Sequence, residues 1–160
     1  MNRLKLYFVF LLSLCCLGSF AQKKKDIKKY GIKSVTSTQT QGTKTIKDSQ
    51  LTYNSNGQLV MEIKYDEEGA LLSTTKYKYN FEDEVIDETE YDEKNILKEK
   101  RTMKYNTLSQ KTEELVTDKE GKQIKKFMYT YDAKGLRTEK KIYDAKNTLM
   151  ITKKIVYAYK

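Results

Sequence analysis

Residues 82–93 place eight carboxylates in twelve positions: Glu82, Asp83, Glu84, Asp87, Glu88, Glu90, Asp92 and Glu93. Such a density could chelate calcium or supply the paired carboxylates of a glycosidase. The rest of the composition narrows the chemistry. There is no histidine, and both cysteines, Cys15 and Cys16, lie near the start. The common general bases, thiol nucleophiles and zinc ligands are therefore missing. Alternation along a strand would send these acids to both faces and into a turn. The run then reads more simply as carboxylates facing the lysines of a neighbouring strand over 96–105. No catalytic residue, metal site or cofactor is assigned.

Seven of the 31 basic residues lie in the first 30 positions, in two groups. Arg3 and Lys5 precede an apolar stretch from Leu6 to Leu17, and Ser19 and Ala21 supply small residues at the −3 and −1 positions of a cleavage site. Residues 1–21 thus read as a secretory signal peptide, too short in its apolar part to span a bilayer. The expectation is an exported chain, in the periplasm, on the cell surface or secreted, with no integral membrane segment after cleavage. Residues 22–30, with five lysines among the first eight, read as a solvated basic tail. Net charge is +9 before cleavage. Export and the scarcity of arginine argue against a nucleic-acid partner.

What must position any site is a repeat. Tyr53, Tyr65, Tyr79, Tyr91, Tyr105, Tyr131, Tyr143 and Tyr157 step by 12, 14, 12, 14, 26, 12 and 14 residues, and Thr117 stands where a tyrosine would split the 26. Fixed spacing of this kind marks a structural repeat. Each tyrosine opens a turn. Tyr65-Asp66-Glu67-Glu68-Gly69 and Tyr131-Asp132-Ala133-Lys134-Gly135 are the clearest copies, with Tyr53 to Gly57 close behind and Thr117 to Gly121 lacking only the tyrosine. Asp or Asn accepts hydrogen bonds from the turn backbone, and Gly three residues later takes the left-handed conformation. After Tyr91 and Tyr143 that place is taken by Asn95 and Asn147, which also tolerate positive φ; Asp83 and Ser109 are weaker substitutes.

Turns at this spacing predict an all-β fold. A single antiparallel up-and-down meander of about ten strands fills 31–160, with a 26-residue period and enough twist to curl into an open partial barrel. The strands fall near 31–38, 43–53, 58–65, 70–79, 85–91, 96–105, 111–117, 122–131, 136–143 and 148–159. A one-residue bulge in the turn pairs each repeat tyrosine with the residue six later, among them Leu59, Leu71, Val85, Leu97, Lys111, Arg137 and Leu149. Continued unchanged, this register pairs Glu90 with Lys98, Glu88 with Lys100, Asp87 with Arg101 and Glu84 with Lys104. It also keeps odd-numbered residues on one face throughout. All eleven tyrosines beyond residue 30 are odd-numbered, so the odd face becomes a tyrosine-lined trough and the even face a solvated one.

That trough is the candidate ligand face: Tyr77, Tyr79, Arg101, Tyr105, Lys125, Tyr129, Tyr131, Glu139 and Lys141. Tyrosine ladders stack on sugar rings and peptide groups, though they also serve as plain core. The turn residues Tyr53, Gly57, Tyr65, Asp66, Gly69, Tyr91, Asn95, Gly121, Tyr131, Asp132, Gly135, Tyr143 and Asn147 read as structural. The end strands present unpaired edges, and the last is apolar, which predicts self-association or a partner's strand there.

The tandem Y-D-x-x-G turns behind a leader resemble the YD repeats of Rhs-type bacterial secreted and surface proteins, over Tyr53 to Asn147. The resemblance implies long antiparallel sheets, and some members are linked to carbohydrate binding. The second glycine of a full YD unit is missing here, and the chain is too short to enclose a toxin. Small MORN-like hairpin-repeat proteins are a looser likeness. Neither motif is catalytic, so no active site carries over. The expectation is a binding module for a glycan or peptide, or else a structural, protein-interaction or immunity-type protein acting through its edges.

Overall fold

The computed structural model describes residues 24–159, so the leader expected over 1–21 lies outside the described residues. Helix α1 (Lys24–Tyr30) precedes strands β1 (Ser34–Gln41), β2 (Lys44–Tyr53), β3 (Leu59–Tyr65), β4 (Leu71–Tyr79), β5 (Val85–Tyr91), β6 (Leu97–Tyr105), β7 (Lys111–Thr117), β8 (Gln123–Tyr131), β9 (Arg137–Tyr143) and β10 (Leu149–Lys154). The strands form one antiparallel sheet in sequence order, open at β1 and β10. This is the meander that the turn spacing predicts. From β3 to β9 the strands alternate between seven and nine residues, which accounts for the 12 and 14 steps.

Every turn from β2 onward is built alike. In the turn at Asp66 the backbone N–H of Asp66 donates to Ala70 O (2.9 Å), and that of Gly69 to Asp66 O (3.0 Å). The Asp66 carboxylate accepts from the N–H groups of Glu68 and Ala70 (3.0 and 2.8 Å). The same bonds recur after Tyr131, Tyr143 and Thr117. At the fourth position Asp83, Asn95, Ser109 and Asn147 take φ between 59° and 66°, so the weaker substitutes still close their turns.

The register holds at the tyrosines and changes immediately beyond them. Tyr65 pairs with Leu71, but Lys64 pairs with Ser73. Tyr91 pairs with Leu97, but Glu90 pairs with Glu99. One residue after each turn has no counterpart: Val60, Leu72, Ile86, Lys98, Thr112, Ile124, Thr138 and Met150. These are bulges of two residues against one, and each shifts the pairing sum by one.

Two expectations are corrected by this shift. The β5–β6 partners are Asp87 with Thr102, Glu88 with Arg101 and Thr89 with Lys100, not Glu88 with Lys100 or Asp87 with Arg101. Glu84 lies before β5 and does not meet Lys104, whose ammonium pairs with Glu113 instead. Of the four charge pairs expected, Glu90 and Lys98 do meet, at 2.6 Å, through side chains that reach past the register.

The odd-numbered residues also do not share one face. Past the bulge, odd positions of the nine-residue strands lie on the face we call inner, and in the seven-residue strands β3, β5, β7 and β9 even positions do; the first residue of each strand, before the bulge, follows its partner tyrosine instead. The repeat tyrosines therefore alternate: Tyr53, Tyr79, Tyr105 and Tyr131 inner, Tyr65, Tyr91 and Tyr143 outer.

The inner face is the more buried one, with Ser73, Thr75, Met103, Glu114, Val116 and Tyr129 all buried. The outer face exposes Lys76, Lys78, Thr102, Lys104 and Met128.

Residues 24–30 are not a solvated tail. They form α1, whose Ile27 is 1% exposed. A β-carbon on Gly57 would stand 2.7 Å from Lys24 O. The helix thus rests on the β2–β3 turn, where only glycine leaves room, and the Lys24 ammonium pairs with Asp83 on the next turn of that end.

Candidate functional site

Inner-face residues fall into rows two strands apart, about 10 Å at ordinary strand spacing. Tyr79, Tyr105, Tyr131 and Tyr157 make one row. Each hydroxyl donates to the backbone carbonyl twenty residues earlier: Leu59 (2.7 Å), Val85 (2.8 Å), Lys111 (2.9 Å) and Arg137 (3.0 Å). Each acceptor is the first residue of its strand, beside a bulge that interrupts the ladder. The hydroxyl supplies a donor to a carbonyl there. These four tyrosines tie strands together, and their rings remain as the surface they offer.

A second row, Glu62, Glu88 and Glu114, lies beside a third, Tyr77, Met103 and Tyr129, each at 26-residue intervals. The Tyr77 hydroxyl donates to Glu62 (3.3 Å) and that of Tyr129 to Glu114 (3.2 Å). Arg101 is the hub between them. Its Nε and Nη2 bond one oxygen of Glu99 (2.9 and 2.5 Å), its Nη1 reaches Glu114 (3.1 Å), and Glu88 stands 3.9 Å away. Lys111 Nζ closes on the other Glu114 oxygen at 2.6 Å. Arg137 lies over the rings of Tyr129 and Tyr131, and Lys140 over Phe127 and Tyr129.

These contacts set the protonation states. Burial alone would raise Glu114, but Lys111, the Tyr129 hydroxyl and Arg101 outweigh it and hold the carboxyl below its ordinary value. Glu88 moves the other way, raised by burial and by Glu114, Glu99 and Glu90 against the pull of Arg101. Burial and the Glu114 charge push Tyr129 up to about 12, and burial with Glu62 raises Tyr77 further. Both phenols stay protonated and serve as donors.

Of the residues singled out from sequence, Tyr77, Tyr79, Arg101, Tyr105, Lys125, Tyr129 and Tyr131 come together on the inner face. Glu139 and Lys141 do not. The β8–β9 bulge places them on the outer face, where they pair with each other at 2.9 Å. The candidate ligand face read from sequence left out Glu62, Glu88, Glu114, Lys111, Arg137 and Lys140. Three of these, Glu62, Glu88 and Glu114, repeat at the tyrosine period and were detectable on that ground.

Four of the eight acids of the run 82–93 are spent on pairing: Asp87 with Lys100 (2.8 Å), Glu90 with Lys98, Glu88 with Arg101 and Asp83 with Lys24. Among the described residues no group of His, Cys, Asp or Glu is arranged to hold a metal ion, and no helix is long and apolar enough to cross a membrane.

No protein-family model matches the sequence, and neither does any curated protein. Solved structures do resemble the chain. A protein of unknown function from Bacteroides fragilis is 15% identical, with 79% of this chain and 95% of that one covered and a TM-score of 0.42. A porin-like protein from Bacteroides uniformis is 12% identical over 68% of this chain and 69% of its own, with a TM-score of 0.34. TarM of S. aureus is 12% identical over 79% of this chain, which spans 22% of that protein, with a TM-score of 0.31.

Proposed function

We propose that the protein is a non-catalytic binding module, exported to the periplasm, the cell surface or the medium, that lays an extended ligand along the inner face of its sheet. One observation carries the reading. Among the described residues the face is a single layer with no second sheet over it, and its aromatic and charged rows recur every two strands. A spacing of about 10 Å is commensurate with three residues of extended peptide and comparable to a disaccharide unit. Tyr77, Tyr79, Tyr105 and Tyr131 supply ring faces, while Arg101 and the exposed Lys125 supply donors. A polymer with repeating units would meet the same chemistry at each step. The resemblance to YD repeats supports a glycan, and the polar rows accommodate a peptide as well.

The test is a glycan array beside a peptide library, probed with the mature chain. Hits are expected to weaken about tenfold in Lys125→Ala and Arg101→Ala and to be unchanged in the outer-face variants Lys76→Ala and Lys141→Ala. Absence of hits on both arrays, or equal losses from the two faces, would sink the proposal.

A specific observation favours a second reading, in which the edge of β10 is the interaction surface. All six residues of β10 are exposed, and so are Ile155, Val156, Tyr157 and Tyr159 beyond it. Only Lys153 and Lys154 blunt this edge. The Ile155 N–H donates to Thr138 O, so it points into the sheet. By alternation the outward N–H groups belong to Thr152 and Lys154. Thr152→Pro should therefore abolish edge pairing while shifting stability by under about 1 kcal/mol. Sedimentation of the two proteins checks this. A wild-type chain monomeric at high concentration would remove the edge from consideration.

A further inference from the structure

The end of the sheet that carries turns 54–58, 80–84, 106–110 and 132–136 sets neighbouring turns about 10 Å apart, and the spaces between them are filled in different ways. In the first space the Gln58 side-chain amide donates to Asp83 (2.6 Å), and α1 lies across the two turns. Lys24 pairs with Asp83, and Ile27 is the most buried large side chain of the described residues. In the third space the Gln110 amide lies against Gly135, its Nε2 2.9 Å from where a β-carbon would stand.

The second space is open. Between turns 80–84 and 106–110 lies a cleft of about 500 Å³, lined among others by Glu82, Glu84, Ile86, Met103, Tyr105 and Ser109. Glu84 stands where the other two spaces have glutamine, and a carboxylate has no N–H to offer the next turn. Asn80 Nδ2 donates to one of its oxygens (2.7 Å), and the other, Oε1, is buried without a partner among the described residues. A buried acceptor in that condition is costly and calls for a donor. Lys104 also borders the cleft, but its ammonium is committed to Glu113 at 2.8 Å. The cleft is thus acidic at its turns and apolar at Ile86 and Met103.

We propose that this cleft binds a short segment of a partner protein that presents a lysine or arginine and an aliphatic side chain three residues apart. Lys24 and Ile27 of α1 present that combination one repeat earlier, across the equivalent pair of turns. The cation supplies the donor that Glu84 lacks and is drawn by Glu82. The aliphatic group covers Ile86 and Met103. The cleft shares Met103 and Tyr105 with the inner face, but Glu84, Ile86 and the turns that close it are assigned no part in the ligand laid along that face, so Glu84→Gln tells the two proposals apart.

The probe is a synthetic peptide spanning residues 24–33, titrated into the full chain and followed by amide chemical shifts. Saturable changes are expected at 80–86 and 103–109. Affinity should fall about tenfold when the peptide carries Ile27→Ser. In the chain, Glu84→Gln restores the amide found in the neighbouring spaces, so it keeps the fold and closes the cleft; binding should fall at least about tenfold. Ser109→Asp supplies the acceptor that Asp83 provides one repeat earlier and should tighten binding about fivefold. No change at 80–86 and 103–109 with millimolar peptide, changes centred instead on 54–58, or equal affinity for the wild-type and Glu84→Gln chains would each overturn the proposal.

Discussion

Replacing Tyr129 by alanine is expected to destabilise the protein by about 3 kcal/mol, near the low end for loss of a buried aromatic ring. Tyr129 is 8% exposed, the most enclosed tyrosine of the sheet. The Arg137 guanidinium and the Lys140 ammonium both lie over its ring, 4.6 and 5.6 Å from the ring centre. Truncation opens a void on a face that has, among the described residues, no second layer to collapse into it. It also leaves Arg137, whose Nε is already buried without a hydrogen-bond partner among the described residues, facing that void. Tyr91→Ala is the control. That ring is on the outer face, half-buried, with Lys76 over it at 4.8 Å, and its loss should cost about 1 kcal/mol. Urea unfolding of the two variants makes the comparison. Equal losses would mean that burial does not distinguish the faces.

Glu114→Ala should cost a similar amount, about 3 kcal/mol, because it leaves Lys111 and Arg101 facing each other across a buried position. The Glu114 side chain is 9% exposed, while Arg101 keeps Glu99 and Glu88 as partners, which holds the loss to the low end for a broken buried pair. The same carboxylate predicts a pH dependence. Its folded-state pKa lies below the unfolded value, so its contribution is complete above about pH 4.5 and is lost as pH falls through the depressed value. Asp87, also depressed because Lys100 and Thr89 outweigh burial, acts in the same direction. Glu88 opposes both. Its raised pKa means that the ionised form costs stability at neutral pH, and protonation relieves that cost as pH falls through the raised value. The net expectation is a loss of stability below about pH 4.5 that is smaller in Glu114→Ala than in the wild type. Thermal unfolding from pH 7 to pH 3 measures both terms.

The turns were legible because their chemistry is local. Asp66, Asp132 and Gly135 act on backbone groups within five residues, and no distant contact can disguise them. Strand limits followed from the turns, except at the two ends and where β1 runs on to Gln41 rather than stopping at 38. The first strand begins at Ser34 rather than 31, and the last ends at Lys154 rather than 159, since no turn marks either limit.

The bulges were not legible one at a time. Val60, Leu72, Ile86 and Lys98 are ordinary strand residues, and nothing in their type announces that they go unpaired. The alternation of 12 and 14 reflects the seven- and nine-residue strands and does not by itself require a bulge. The register shift at the bulges explains why Glu139 and Lys141 were placed on the wrong face while Arg101 was not: the odd-numbered rule holds in β6 and fails in β9. Helix α1 was hidden for a different reason. With one aliphatic residue among five charged ones, Lys24 to Tyr30 shows no apolar stripe. Its place depends on Gly57 leaving room and on the Lys24–Asp83 pair, both brought close only by the fold.

Beneath all of these lies the alternation of repeat tyrosines between a face that uses their hydroxyls and a face that does not. A tyrosine-to-phenylalanine scan tests it most directly, because it removes one oxygen and leaves the ring. Tyr79→Phe, Tyr105→Phe and Tyr131→Phe each take away the donor to a strand-start carbonyl and should lose about 1 kcal/mol. Tyr65→Phe, Tyr91→Phe and Tyr143→Phe should lose no more than a few tenths, since their rings carry lysines and their hydroxyls hold no hydrogen bond among the described residues. Unfolding free energies that alternate along the chain in this way are the predicted result; a uniform loss, or none, across all six would contradict it.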